Sequence, residues 1–269
     1  MIGRSQLPEN YQEWNQRWGA PAGYEAAAAI PHPRRRLNDP DPARFGPFAF
    51  QFQVAAETRV FEYPWAYFAA KTEPGMRILD VGAGLSGLQF ILAQEGCEVV
   101  NIDPSAKEDP GGWRRATSWW LTTDNHEEVN KVFGTDVLLV PRKVQDSGLE
   151  QGSFDRVLCL SVLEHVDPLE ARAMLTSMAD LLMPGGLCIL TVDLFLDLKP
   201  FGILNRNYWG TNLDLHRLLE GQRLERVAGN PHELFGFPEF DYDQFVSHVG
   251  DYLMGVYPCV TQALVLRKI

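Results

Sequence analysis

M-R-I-L-D-V-G-A-G-L-S-G-L-Q, from Met76 to Gln89, is the stretch whose reading decides the fold. Met76 to Val81 is a short apolar run of the kind that makes a buried parallel strand. Gly82, Gly84 and Gly87 follow it, and Leu88 to Gln94 can begin a helix. A strand that ends in glycines and opens a helix lets the backbone approach a ligand closely, because no Cβ stands in the way. The pattern predicts a cofactor cradle at a strand-to-helix turn.

Glycines at this spacing also mark ordinary tight turns, so Asp80, two residues before the first of them, carries the discrimination. In a dinucleotide-binding turn the helix N-terminus faces a pyrophosphate, and a carboxylate this close repels it. A cofactor bearing an amino group and a sulfonium finds the same carboxylate attractive, and S-adenosylmethionine is such a cofactor. Asp103 lies 16 residues after Gly87, at the tip of the next apolar run, Cys97 to Ile102. Ligands of open α/β sheets bind beyond the carboxyl ends of the strands, where an acid can accept hydrogen bonds from both ribose hydroxyls. Asp103 also fits a plain cap on the turn through Pro104 and Ser105.

Working outward, strands and helices alternate, which predicts an α/β fold with a doubly wound, mostly parallel sheet. The expected strands are Arg77 to Val81, Cys97 to Ile102, either Asp136 to Val140 or Val140 to Val144, Phe154 to Leu160, Leu187 to Val192, Arg223 to Val227 and Val260 to Arg267. Helices are expected over Ser86 to Glu95, from a cap at Thr123 or Asp124 to Phe133, over Pro168 to Leu182 with Pro184, Gly185 and Gly186 closing it, and over Leu213 to Glu220 capped by Asn212. Trp113, Trp119 and Trp120 fall in a crossover, and Tyr208 and Trp209 in a loop from Asp197 to Thr211. Upstream, Pro8 to Trp18 reads as a short helix stopped by Gly19. Val54 to Lys71 reads as helical but kinked or split at Glu62 and Tyr63 by Pro64.

Two segments do not fit the alternation. Residues 1–53 form an arm, irregular from Ala20 to Pro47, whose aromatics (Tyr11, Trp14, Trp18, Tyr24, Phe45, Phe48, Phe50 and Phe52) are too many for a disordered tail. Residues 228–259 form an insertion before the last strand, with Phe235, Phe237, Phe240, Tyr242, Phe245, Tyr252 and Tyr257. The arm is expected to pack either over an apolar face of the core or as a substrate lid; the expectation is that arm and insertion together form an aromatic cap over the substrate, and that residues 54–269 make the main domain.

A chain of 269 residues, 45% hydrophobic and 22% charged, can bury one large core. Its net charge of −11 argues against a general binder of phosphate backbones. The basic run Arg34 to Arg36 is followed by Asp39 and Asp41 and reads as a solvated loop. Cys97, Cys159, Cys188 and Cys259 have no zinc-ligand spacing and read as buried thiols in a reducing compartment. No signal peptide and no run near the roughly 20 apolar residues of a membrane span are found. The expectations are a cytoplasmic address and neither nucleic acid nor membrane as partner.

With these residues assembled, the sequence resembles the class I S-adenosylmethionine-dependent methyltransferases, in particular the branch that methylates small molecules. Four motifs carry the resemblance: L-D-V-G-A-G-L-S-G at 79–87, N-I-D-P-S at 101–105, G-S-F-D-R-V-L-C-L-S-V-L-E-H-V at 152–166 and M-P-G-G-L-C-I-L-T at 183–191. It implies a Rossmann-like seven-stranded sheet whose last strand runs antiparallel. It also implies that Asp80 and the Gly82, Ala83 and Gly84 backbone hold the methionine end of the cofactor, and that Asp103, followed by Pro104, holds the ribose. Gln145 and Asp146 match the place where the family reads the adenine, and Ser161 would offer its carbonyl to the amino group. S-adenosylhomocysteine would be the product.

Methyl transfer to an activated carbon needs alignment and exclusion of water, and a base only where the acceptor holds its proton, as an alcohol or phenol does. His165, after Glu164, is the first candidate base and Asp193 the second; each also fits a structural polar group or turn cap. His216, His232 and His248 show no diagnostic metal-ligand spacing, and no metal is expected. The expected acceptor is a small molecule, natural-product-like or sugar-linked. Two other readings stand beside this one: an NAD(P)-dependent oxidoreductase, and a non-catalytic protein of cofactor-binding fold that pairs through its aromatic arm, with its own twin as a homodimer.

Overall fold

The computed structural model describes residues 1–18, 58–107, 121–255 and 257–269. Its centre is the quoted stretch. Strand β1 (Arg77–Val81) lies between β2 (Glu98–Ile102) and β4 (Phe154–Leu160), parallel to both. Because side chains alternate along a strand, Ile78, Leu158 and Ile189 enter one apolar cluster while Leu79, Val157, Cys159 and Leu190 enter another on the opposite face. Burial on both faces is why these strands read as continuous apolar runs.

Beyond β2 lies β3 (Leu138–Val140), and beyond β4 lie β5 (Leu182–Phe195), β7 (Cys259–Lys268) and β6 (Leu224–Ala228), giving the order β3-β2-β1-β4-β5-β7-β6. Strand β7 runs antiparallel to both of its neighbours, and the other six strands share one direction. The expected mixed seven-stranded sheet is therefore present. One face is covered by residues from α1 (Glu9–Trp18), α2 (Arg59–Ala70), α3 (Gly87–Gln94) and α4 (Thr123–Phe133). The other is covered by α5 (Pro168–Leu181) and α6 (Leu215–Leu219). The four cysteines are buried and unpaired.

Several local expectations change in the folded chain. Helix α2 runs through Pro64 without splitting. A proline cannot donate to the carbonyl four residues earlier, here that of Val60, and Asn15 of α1 supplies the missing donor from its side chain at 2.8 Å. Helix α6 is capped by Asp214, which accepts from the Arg217 N–H at 2.8 Å. Asn212 instead clamps the end of β5, accepting from Phe195 N and donating to Phe195 O. The cap of α4 is Thr122, not Thr123 or Asp124 as expected. Strand β3 takes the first of its two registers, opposite Val100 to Ile102, and Val144 falls in a turn. Pro184 to Gly186 lie within β5, at a register shift against β4.

Residues 1–3 run beside the first half of β7, where β6 does not reach, with Ile2 opposite Gln262 and Gly3 N donating to Thr261 O at 3.0 Å, and Trp14 of α1 is buried in the core. The rest of the arm, the start of the Val54 helix, and Trp113, Trp119 and Trp120 lie outside the described residues. In the insertion, Phe235, Phe240, Tyr252 and Phe245 of α7 (Tyr242–Ser247) pack with Phe201, Leu194 and Val260 into a small core of their own. No helix of the described residues is long and apolar enough to cross a membrane.

Candidate active site

The turn after β1 closes on itself through backbone and side-chain bonds. Gly82 (φ +70°) must be glycine twice over, since a Cβ there would also stand 2.8 Å from Val162. Gly84 (φ +57°) donates its N–H to Asp103 Oδ2 at 3.0 Å, and its carbonyl accepts from Asn101 at 2.9 Å and Gln89 at 3.1 Å. Gln89 is held in turn by Asn101 and by buried His126, whose Nε2 donates to Gln89 Oε1 at 3.0 Å. Burial pulls the His126 pKa down to about 4, so that ring is neutral. Ser86 caps α3 by accepting from Leu88 N.

Beside this turn, Asp80 is buried, and among the described residues no group hydrogen-bonds its carboxylate. Burial, and then the charge of Asp103, push its pKa up to about 7. Such a carboxylate is a site that a cation would stabilise. Asp103 serves both readings made of it, because its Oδ1 also accepts from Ser105 N at 2.9 Å and Ser105 Oγ at 2.6 Å while its side chain borders a cleft.

That cleft, about 730 Å³, opens over the carboxyl ends of β1, β2 and β4, a size suited to a cofactor with part of a substrate. Gly82, Asp103, Pro104, Gln145, Ser161 and His165 line it. Asp80 is not among the lining residues, and Ala83 and Gly84 belong to the turn behind the cleft. Asp146 is exposed, its N–H spent on Lys143 O, and does not line the cleft.

Asp193 does not line the cleft either. Asp193 is half-buried; its carboxylate accepts from Thr261 at 2.8 Å and Ser161 at 3.5 Å, and desolvation followed by the Glu62 charge raises its pKa to about 7. The Asp193 N–H donates to Glu164 Oε1 at 2.9 Å, and burial, then Asp193, push Glu164 well above the usual carboxylate range. Glu164 is buried and Asp193 half-buried, and the two acids share one hydrogen-bonded network.

The hub of that network is Glu62, which the sequence reading noted only as a kink position. It is fully buried in α2, accepts from Ser161 and, at 2.8 Å, from Thr191, and pairs with Arg59. Burial works against the Arg59 charge, but Glu62, Tyr63 and Asp193 overcome it and hold the guanidinium protonated. Ser161 takes φ +51°, a conformation uncommon for a residue with a Cβ, and the bond to Glu62 helps to keep it there. One charged pair inside R-V-F-E-Y-P-W, an otherwise apolar helical run, was the available signal.

His165 stands exposed at the cleft wall, with Nδ1 against the Trp209 carbonyl. A carbonyl only accepts, so Nδ1 carries a proton, and the tautomer this selects has its lone pair on Nε2. Tyr208 and Trp209 also line the cleft. Among the described residues, 228–255 contribute nothing to this lining; the aromatic mouth comes from the loop between β5 and α6. No group of three His, Cys, Asp or Glu side chains among the described residues is placed to hold a metal ion.

A parallel sheet with only β7 reversed, an acid and glycines at the tip of β1 and a second acid at the tip of β2 define a class I methyltransferase fold. Residues 56–230 match the family described as methyltransferase domain, and the chain belongs to that family, whose methyl donor is S-adenosylmethionine. A ubiquinone biosynthesis O-methyltransferase from Xanthomonas campestris is 34% identical over 128 residues, 46% of each chain. The chain thus spans about half the length of the curated relatives it matches first. Among solved structures, a candidate sarcosine dimethylglycine methyltransferase from Galdieria sulphuraria has a TM-score of 0.53 at 13% identity, covering 78% of this chain and 85% of that one. A candidate methyltransferase from Bacillus halodurans has a TM-score of 0.53 at 14% identity, covering 77% and 98%. At these identities the structures speak to the fold alone.

Proposed function

We propose that this chain transfers the methyl group of S-adenosylmethionine to a hydroxyl of a small, largely apolar or aromatic acceptor. The observation that carries the reading is the buried carboxylate of Asp80, to which no group among the described residues hydrogen-bonds, beside a glycine turn whose Gly82 lines the cleft. The residues fit the cofactor: Asp80 would meet its amino group together with the Ser161 carbonyl, Asp103 its ribose and Gln145 its adenine. When bound, the cofactor supplies a methyl carbon activated by positive sulfur.

The chain's own part is to orient and to move one proton. Trp209 O holds His165 in the tautomer whose Nε2 can take the proton of an acceptor hydroxyl, and Tyr208 and Trp209 offer faces on which an aromatic acceptor stacks. A hydroxyl acceptor also agrees with the O-methyltransferase name of the Xanthomonas relative. In this reading residues 54–269 form the methyltransferase unit and 1–53 an arm attached to it.

The test is calorimetric titration with S-adenosylmethionine and with NADH, followed by methyl transfer to a panel of phenols and catechols. Binding of the first ligand alone, with turnover on at least one phenol, is the expected result. NADH binding without S-adenosylmethionine binding overturns the proposal in favour of an oxidoreductase.

A further inference from the structure

The loop between β5 and α6 sorts its residues into two sets. Leu198 is fully buried, Phe201 stacks on Tyr242 and packs against Phe245, and Asn207 donates to Asp197 while accepting from Trp209 N and Gly210 N. A Cβ on Gly202 would collide with Asp197 O, and one on Gly210 with Glu164 O, so the loop is pressed against the protein at both places. The other set points outward: Ile203 is 87% exposed, Leu204 50%, Tyr208 82% and Trp209 48%. A slack loop would fold such groups inward. Here a hydrogen-bonded base presents them to the outside, and clustered apolar exposure of this kind marks an interaction surface.

Charge selects the occupant. From Leu198 to Asn212 the sequence carries Lys199 and Arg206, both exposed, and no acid, within a chain of net charge −11. Two aliphatic side chains, a Tyr–Trp pair and two flanking cations are the chemistry of a bilayer interface, where apolar tips enter the acyl boundary, aromatic rings sit at headgroup level and long cationic stems reach anionic phosphates. Asp241 and Asp243, on either side of Tyr242, bound the surface on the α7 side and keep it to the loop. Tyr208 and Trp209 also line the cleft, so the surface borders its mouth.

We propose that residues 199–209 dock this protein peripherally on a lipid surface carrying anionic headgroups, with the cleft mouth turned toward the bilayer, so that a lipophilic acceptor enters from the membrane. The sequence reading weighed only spanning segments and so did not reach this. The inference rests on the proposed acceptor class for its purpose, and on the loop alone for its geometry.

The experiment is flotation of the full chain with phosphatidylcholine vesicles, with and without phosphatidylglycerol, for wild type, Ile203→Ser/Leu204→Ser and Lys199→Glu/Arg206→Glu. S-adenosylmethionine binding is measured on each as a check of folding. Wild type is expected to float with the anionic vesicles, each double variant to lose about tenfold or more in partitioning, and cofactor affinity to stay unchanged. Wild type that binds the cofactor but does not float, or variants that float as well as wild type, overturn the docking and leave methyl transfer standing. Floating without cofactor binding does the reverse. A wild-type dimer that the apolar variant converts to monomer, with no flotation, assigns the surface to a second copy and also overturns the proposal.

Discussion

Gly84 and Asp103, 19 residues apart, are joined by a 3.0 Å bond from backbone N–H to carboxylate that ties the turn after β1 to the tip of β2. The same carboxylate faces the cleft, so one side chain both shapes the cradle and borders its contents. Asp103→Ala is expected to weaken S-adenosylmethionine binding by about 1–3 kcal/mol, the usual effect of removing a hydrogen-bonding group from a buried site. Asp103→Asn keeps an acceptor for Gly84 and should lose less. Calorimetric titration of the three proteins checks the order; equal affinities would remove Asp103 from the site.

Asp80 predicts a pH dependence with a definite sign. Its folded pKa is raised to about 7, so its contribution to stability is fully present below the ordinary carboxylate range and lost as pH rises through 7. Asp193, raised to about 7 by burial and Glu62, adds a slope of the same direction. A cationic ligand beside Asp80 favours its ionised form, so cofactor affinity should rise with pH up to about 7 and then level off, with a proton released on binding at the acid end. Asp80→Asn should abolish the affinity slope but only part of the stability slope. Titrations in buffers of different ionisation enthalpy read the proton directly.

Among the described residues, the Val60 carbonyl that Pro64 leaves free in α2 has one donor, Asn15. Asn15→Ala is expected to destabilise the protein by about 1 kcal/mol, since it leaves a partly buried carbonyl without a partner. Pro64→Ala restores a backbone N–H at the position that can reach Val60 O, so the Asn15 substitution should matter less in that background. A double-mutant cycle by urea unfolding measures the coupling. Additive effects would show that the two residues act independently.

These cases also show how far the sequence could be read. Strands β1 and β4 have the expected ends, Arg77–Val81 and Phe154–Leu160, because central parallel strands are apolar on both faces and bounded by glycine or polar turns. Of the cleft-lining residues, Gly82, Asp103 and Pro104 were legible from local turn chemistry and His165 from its place after the fourth strand, whereas Gln145 and Ser161 came from the family resemblance. What could not be read depends on distant partners. Pro64 stays helical because Asn15 reaches the Val60 carbonyl from 45 positions away in the chain. Glu62 meets Ser161 and Thr191, 99 and 129 positions away, and becomes a buried hub that no local pattern announces. Asp193, the second candidate base, accepts from Thr261 across the antiparallel pair, a partner 68 positions away.

His165 is the residue on which the proposed chemistry can be tried most sharply. Its Nδ1 proton is committed to Trp209 O, so protonation of the ring must occur at Nε2, the atom offered to the acceptor. His165→Gln removes that base while leaving the cofactor turn untouched. For a hydroxyl acceptor, kcat should fall by about 10²–10⁴, the range of general-base contributions, with cofactor affinity unchanged. The remaining rate should rise with pH as the acceptor ionises by itself. Single-turnover rates on a phenol and on a more acidic nitrophenol separate the cases: the more acidic acceptor should lose less on substitution, because it needs the base less. Equal losses on both would mean that His165 positions the acceptor and does not take its proton.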